Sequence, residues 1–256
     1  KKDKSTVTTT PTDLSDEQPT TVDTSKETSS DTKDDSNSEK SFGLTQKTAD
    51  GTILQCFSWS FNTIKDSLED IALAGYSTIQ TSPVNACYNG GDAGIDLNGS
   101  GKWYYHYQPT DWTIGNYQLG TKEEFKSMCE EADKYGIKVI VDVVPNHTTK
   151  STEALGEGLL NAVGGIDNLY HKKGKDEVSN YNDRGECTHQ AVGGLFDVNT
   201  ENIAFQNYFI NYMNECIACG ADGFRFDTAK HIGLPDDPVE DSSMPNTFWT
   251  NVLSKL

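Results

Sequence analysis

Arg225 and Asp227 stand two residues apart in Gly223-Phe224-Arg225-Phe226-Asp227-Thr228-Ala229-Lys230-His231. The small and apolar residues from Ala221 to Phe226 predict a short buried strand. Period-two geometry then puts Arg225 and Asp227 on one face of it. A nearby guanidinium favours the charged form of a carboxylate. A charged, oriented carboxylate at a strand's C-terminal end suits a nucleophile or the stabiliser of an oxocarbenium ion. A plain Arg–Asp pair tying a strand end to its loop fits the same nine residues.

Other polar residues gather at predicted strand ends. In Asp142-Val143-Val144-Pro145-Asn146-His147, Asp142 interrupts an apolar run, which is costly unless a cation or donors meet it. Arg225 on the neighbouring strand is the expected partner. His147 stands at the mouth, able to donate to a sugar hydroxyl or to serve structurally. Asn146, Asp197 (in Gly194-Leu195-Phe196-Asp197-Val198-Asn199) and the carbonyl of His231 could share one hard cation. An amide oxygen, a carboxylate and a backbone oxygen suit calcium rather than zinc. Asp197 could instead cap the helix that follows. Trp103-Tyr104-Tyr105-His106-Tyr107-Gln108 places five rings in six positions of a Gly- and Asn-rich loop. Flat rings stack on pyranose faces, line ordinary pockets or form a small satellite core.

The elements that must position these groups alternate. Thr52 to Trp59, Tyr76 to Pro83, Ile137 to Val144 and Ala221 to Phe226 read as strands. The third is apolar almost throughout, as in a parallel strand covered on both faces. Thr63 to Ala74, Thr121 to Tyr135 and Asn202 to Cys219 read as helices, and Phe248 starts another. Thr121 and Glu124 form a capping box, and Gly75 and Gly136 follow helix ends. Val84 to Leu119 reads as one long loop, and residues 148–196 as an insertion without sustained period. Helix-to-strand turns of one or two residues (at Gly75, Gly136 and Gly220) contrast with long excursions after strands. That asymmetry predicts an α/β fold of the (β/α)8 barrel type, cut after about its fourth strand. A doubly wound open sheet is the alternative, but no Gly-rich phosphate loop follows a strand.

Composition narrows the function classes. The 256 residues carry 21 basic against 39 acidic side chains, a formal net charge of −18, which disfavours nucleic-acid and anionic-membrane partners. No apolar run reaches the roughly 20 residues of a membrane span, and no signal peptide is legible. Residues 1–45 are Ser-, Thr-, Asp- and Lys-rich and are expected to be a disordered tail or tether. Residues 46–256 form the compact domain. The six cysteines, irregularly spaced, are expected to be buried free thiols, including the Cys216–Cys219 pair.

DVVPNH, GLFDVN and GFRFDTAKH, in this order and spacing, resemble three signature regions of the α-amylase family of glycoside hydrolases (family 13), from about Thr52 to Leu256. The resemblance implies a (β/α)8 catalytic domain with residues 148–196 as the insertion after strand three called domain B. It implies retaining, endo-acting hydrolysis of α-1,4-glucosidic bonds in starch-like α-glucans, with Asp227 as nucleophile positioned by Arg225. His147 and His231 then border the adjacent subsite, and Lys230 meets the next sugar on the leaving-group side. Tyr107 stacks on the sugar being cleaved, with Trp103, Tyr104 and Gln108 along the donor side. Asn146, Asp197 and the His231 carbonyl match the family's structural Ca2+ site, with a further carbonyl near Thr188. Chloride dependence stays open. A monomer acting outside the cell, tethered or free, is the expectation.

The family's general acid, a Glu at the end of strand five, and a His-Asp pair after strand seven would fall beyond Leu256. Retaining chemistry needs a second carboxyl roughly 5 Å from the nucleophile, so residues 1–256 alone are expected to be inactive. Three rivals remain: a transglycosylase or α-glucosidase of the same family, a non-catalytic α-glucan binder, and a metal-dependent hydrolase. The last lacks clustered His and carboxylate ligands in the sequence.

Overall fold

The computed structural model describes residues 42–90 and 103–256. β1 (Ile53–Cys56) leads to α1 (Phe61–Leu73) and then to β2 (Thr78–Thr81), which pairs parallel with β1 from Ile53 opposite Thr78 to Cys56 opposite Thr81. α1 begins two residues before the expected Thr63 because Ser60 caps it, its hydroxyl accepting from the Thr63 N–H at 3.1 Å. The turn back to β2 is Ala74 to Ser77, longer than expected, with Gly75 at φ +86°.

The stretch expected to be one long loop contains a hairpin. β3 (Asn85–Cys87) pairs antiparallel with β4 (Pro109–Ile114), and a 3-10 turn, Trp103–Tyr107, precedes β4. Two strands so far apart in sequence, the first of three residues, leave no local alternation to read.

α2 (Lys122–Tyr135) has the predicted capping box. The Glu124 N–H donates to Thr121 Oγ1 at 3.2 Å, and the Thr121 N–H to Glu124 Oε2 at 2.8 Å. Gly136 closes the helix at φ +70°. β5 (Lys138–Val143) then pairs parallel with β2. Phe61, Ile64, Leu68, Phe125 and Met128 are fully buried, and the Phe61 and Phe125 rings lie 5.2 Å apart. Phe42 and Leu44 pack on this core, with the Phe42 and Tyr135 rings 5.4 Å apart. Phe42 and Leu44, within the stretch expected to be tail, thus pack on the domain; residues 1–41 of the expected tail lie outside the described residues.

β6 (His147–Thr148) opens the insertion, which holds α3 (Glu157–Val163), α4 (Ile166–Leu169) and α5 (Arg184–His189). These helices are too short for a visible period. β7 (Phe196–Asp197) returns antiparallel to β6, pairing Asp197 with His147 and Thr148 with Phe196. α6 (Ile203–Ala218) follows, capped by Asn202, whose side chain accepts from the Ala204 N–H at 2.9 Å, so Asp197 is not its cap. After Cys219 to Asp222, β8 (Gly223–Phe226) pairs parallel with β5, setting Asp142 beside Arg225, and α7 (Phe248–Leu253) ends the described chain. The four parallel strands stand in the order β1-β2-β5-β8. All six cysteines are free; five are buried and Cys87 is half-buried.

Candidate active site

β5 and β8 run in register, so Asp142 and Arg225 are cross-strand neighbours and Asp227 follows β8 directly. Arg225 Nη1 donates to Asp142 Oδ1 at 3.0 Å and Oδ2 at 2.9 Å, and to Asp227 Oδ1 at 2.8 Å. The Asp142 side chain has 0% exposure, that of Asp227 17% and that of Arg225 44%. One guanidinium thus bridges a wholly buried carboxylate and one that reaches the surface. Burial pushes Asp142 up to about 6, against the hydrogen bonds from Arg225 and Tyr107. The Tyr107 hydroxyl donates to Asp142 Oδ2 at 3.0 Å, and burial pushes that phenol upward. Thr228, immediately after Asp227, holds φ +50°, an uncommon left-handed conformation for a residue with a branched side chain.

Asp227 opens into a cleft of about 590 Å³. Trp103, Tyr104, Tyr107, Gln108 and His147 line it, as do Phe57, Leu195 and Thr228. The aromatic run therefore divides. Trp103, Tyr104 and Tyr107 face the cleft, whereas Tyr105 and His106 are buried beneath it, and burial pushes His106 down to about 4. Trp103 gathers the wall, its ring 5.9 Å from Phe57, 6.0 Å from Tyr104 and 6.3 Å from Tyr107. Phe57 and Leu195 escaped notice in the sequence, though Phe57 has the aromatic character and the position, just past β1, to be noticed.

His147 is buried and donates from Nε2 to the Tyr107 carbonyl at 3.0 Å; its Nδ1 accepts from the Asn146 amide at 3.4 Å. Burial lowers its pKa, favouring the neutral ring. Lys230 and His231 lie on the 3-10 turn Ala229–His231 and do not line the cleft. Lys230 Nζ sits 5.4 Å over the Tyr181 ring, and His231 Nδ1 donates to the Cys187 carbonyl at 2.8 Å.

Because β6 and β7 pair, Asn146 and Asp197 meet beside the cleft, and the Val198 N–H donates to the Asn146 carbonyl at 2.8 Å. Asn146 Oδ1 and Asp197 Oδ1 are both buried with no partner. Buried oxygens without donors are costly, and a hard cation is what two such acceptors lack. The other Asp197 oxygen accepts from His171 Nδ1 at 2.6 Å, while burial pushes the Asp197 carboxyl up to about 7. His171 Nε2 bonds Glu201. Burial disfavours the charged ring, but bonds to two carboxylates raise His171 to about 9 and hold Glu201 low. His171 and Glu201 were not singled out in the sequence, since they sit in stretches without period or motif.

The family profile described as "Alpha amylase, catalytic domain" matches residues 60–254. The chain belongs to the α-amylase family. An α-amylase from Butyrivibrio fibrisolvens is 55% identical over 211 residues, covering 81% of this chain and 21% of that protein. One from Clostridium acetobutylicum is 39% identical over 216 residues, covering 83% of this chain and 27% of that protein. The chain thus spans between a fifth and three tenths of the length of these curated relatives. Among solved structures, α-amylase I from Eisenia fetida matches with a TM-score of 0.62 at 22% identity, covering 80% of this chain and 40% of that one. The Geobacillus thermoleovorans α-amylase complexed with acarbose matches at 0.60 and 22% identity, over 81% and 44%. The fold is the α-amylase (β/α)8 barrel, represented here by the four parallel strands β1, β2, β5 and β8.

Proposed function

We propose that this chain carries the nucleophile side of an endo-acting, retaining α-1,4-glucan hydrolase site. The observation that carries this is Asp227 itself. It stands at the C-terminal end of a barrel strand, bonded through Oδ1 to Arg225, in a cleft walled by Trp103, Tyr104 and Tyr107. Asp227 attacks the anomeric carbon as the leaving-group oxygen takes a proton, and water then cleaves the glycosyl-enzyme ester. Tyr107 offers its face to the sugar, and His147, neutral and locked by two hydrogen bonds, borders the same subsite. On the turn that follows Asp227, His231 would border the same subsite as His147, and Lys230 would meet the next sugar on the leaving-group side. Among the described residues lining the cleft, Asp227 is the one carboxylate. Asp142 cannot act as the acid/base, being wholly buried behind Arg225. The second carboxyl is none of the described residues that line the cleft.

Asn146 and Asp197, with the His231 carbonyl that the family resemblance implies, would hold a structural Ca2+, supplying positive charge to two buried, unpartnered oxygens and holding β7 against the barrel. We place the enzyme outside the cell, where starch-like polymers are met, and the acidic composition of residues 1–45 suits a tether in that setting. In the natural protein, Asp227→Asn should cut starch hydrolysis at least about 10³-fold while maltooligosaccharide binding persists. Loss of binding together with activity would make Asp227 a structural residue. Longer oligosaccharides formed from maltoheptaose would indicate a transglycosylase instead.

A further inference from the structure

Two histidines of the insertion and a glutamate just past it converge away from the cleft. His171 follows α4, His189 ends α5 and Glu201 precedes α6, and all three are buried. One ligand atom from each lies within 4.8 Å of the others. His189 is the telling member. Its Nδ1 donates to the Gly185 carbonyl at 2.8 Å, which leaves Nε2 as a bare lone pair. That Nε2 is buried and has no hydrogen-bond partner, although His189 is only 5% exposed. His171 is oriented in the same way, its Nδ1 bound to the Asp197 carboxylate at 2.6 Å and its Nε2 turned to Glu201. Imidazoles that ligate metals characteristically give their other nitrogen to a carboxylate or a backbone carbonyl. Both arrangements occur here, one on each ring.

From this geometry we infer a second metal site, with His171 Nε2, His189 Nε2 and the Glu201 carboxylate as ligands for Zn2+ or a similar borderline divalent ion. Two imidazoles and one carboxylate are a zinc donor set, whereas calcium takes oxygen ligands. The site is distinct from the oxygen pair of Asn146 and Asp197, and Asp197 links the two by orienting His171. An ion can enter from two sides. A cavity of about 190 Å³ is lined by His171, Glu201 and Glu240, and one of about 500 Å³ by His189 and Glu240. A solvent molecule from either side completes a four-coordinate shell. The competing arrangement is a metal-free ring clamped between Asp197 and Glu201. Metal binding replaces the proton that His171 and Glu201 share, so the two states exclude each other. A bound ion would tie α4, α5 and the start of α6 together. This inference does not depend on the role of Asp227.

The test uses the purified full chain, stripped with chelator and held in excess Ca2+ to fill hard-oxygen sites. Zn2+ titrated calorimetrically should bind one per chain, and His189→Gln should weaken it at least about 100-fold, the upper end of the loss seen for outer-shell changes. His189 makes no ion pair among the described residues, so this substitution spares the Asp197–His171–Glu201 bridge. Glu201→Gln should weaken binding similarly. Co2+ gives a readout on the unaltered chain, whatever the variants do: intense visible bands for a four-coordinate, imidazole-ligated ion. Weak octahedral Co2+ absorption, no stoichiometric Zn2+ uptake, or unchanged affinity in His189→Gln would each overturn the site.

Discussion

Replacing Arg225 by methionine keeps much of the side chain's volume and removes its charge from two carboxylates at once. The consequence falls mainly on Asp142, which has 0% exposure and takes two of its three side-chain hydrogen bonds from Arg225. Removing one partner of a fully buried pair costs about 3–5 kcal/mol. Arg225 is 44% exposed, so solvent screening reduces that to about 2 kcal/mol at neutral pH. Protonation of Asp142 offers an escape. Even with Arg225 present its pKa is raised from 3.8 to about 6, so the folded state holds this proton more tightly than the unfolded state. Ionising Asp142 therefore lowers stability as pH rises from about 4 to about 6. Without Arg225 the upper end of that window moves higher, and Arg225→Met should cost more at pH 8 than at pH 5. Asp142→Asn removes the buried charge, so the same Arg225→Met change should cost less in that background. The lost Asp227 pair is common to both backgrounds and cancels in the cycle. Urea unfolding of the four proteins at both pH values should give a coupling of about 1–2 kcal/mol at pH 8. Additivity within about 0.5 kcal/mol, or a larger penalty at pH 5, would mean that Arg225 does not stabilise the buried Asp142 charge.

Phe61→Ala should cost about 3–5 kcal/mol in urea unfolding, because a fully buried ring against Phe125 leaves a cavity between α1 and α2; a cost under 1 kcal/mol would mean that the site collapses freely. Thr121→Ala should cost about 1 kcal/mol by the same assay, through loss of the hydroxyl that accepts from the Glu124 N–H. Ca2+ added after chelation should raise the melting temperature, and Asp197→Asn should abolish the gain. An equal rise in the variant would place the ion elsewhere.

Much of this arrangement was legible because its signals are local. The Thr121–Glu124 box sits within one helical turn, and the apolar run of β5 is continuous. Asp142 could be matched to Arg225 because a charge inside such a run demands a partner, and the structure supplies it at 2.9 Å. What escaped depends on distance in the chain. Cys87 and Pro109 pair across the β3–β4 hairpin with no local trace. The aromatic run gave no sign that Tyr105 and His106 turn inward while their neighbours face the cleft, since a 3-10 turn distributes side chains around itself. His171, His189 and Glu201 come from three stretches that become neighbours only once β7 has folded back on β6.

In this mechanism Asp227 becomes covalently attached to the sugar. A maltosyl fluoride carrying an electron-withdrawing fluorine on its reacting ring tests this directly. Fluoride departs without a proton donor, while the added fluorine slows hydrolysis of the ester. Mass spectrometry of the digested natural protein should find one glycosyl group, on the peptide containing Asp227, and none in Asp227→Asn. Labelling of another carboxylate, or turnover that leaves Asp227 unmodified and continues in Asp227→Asn, would mean that Asp227 is not the nucleophile.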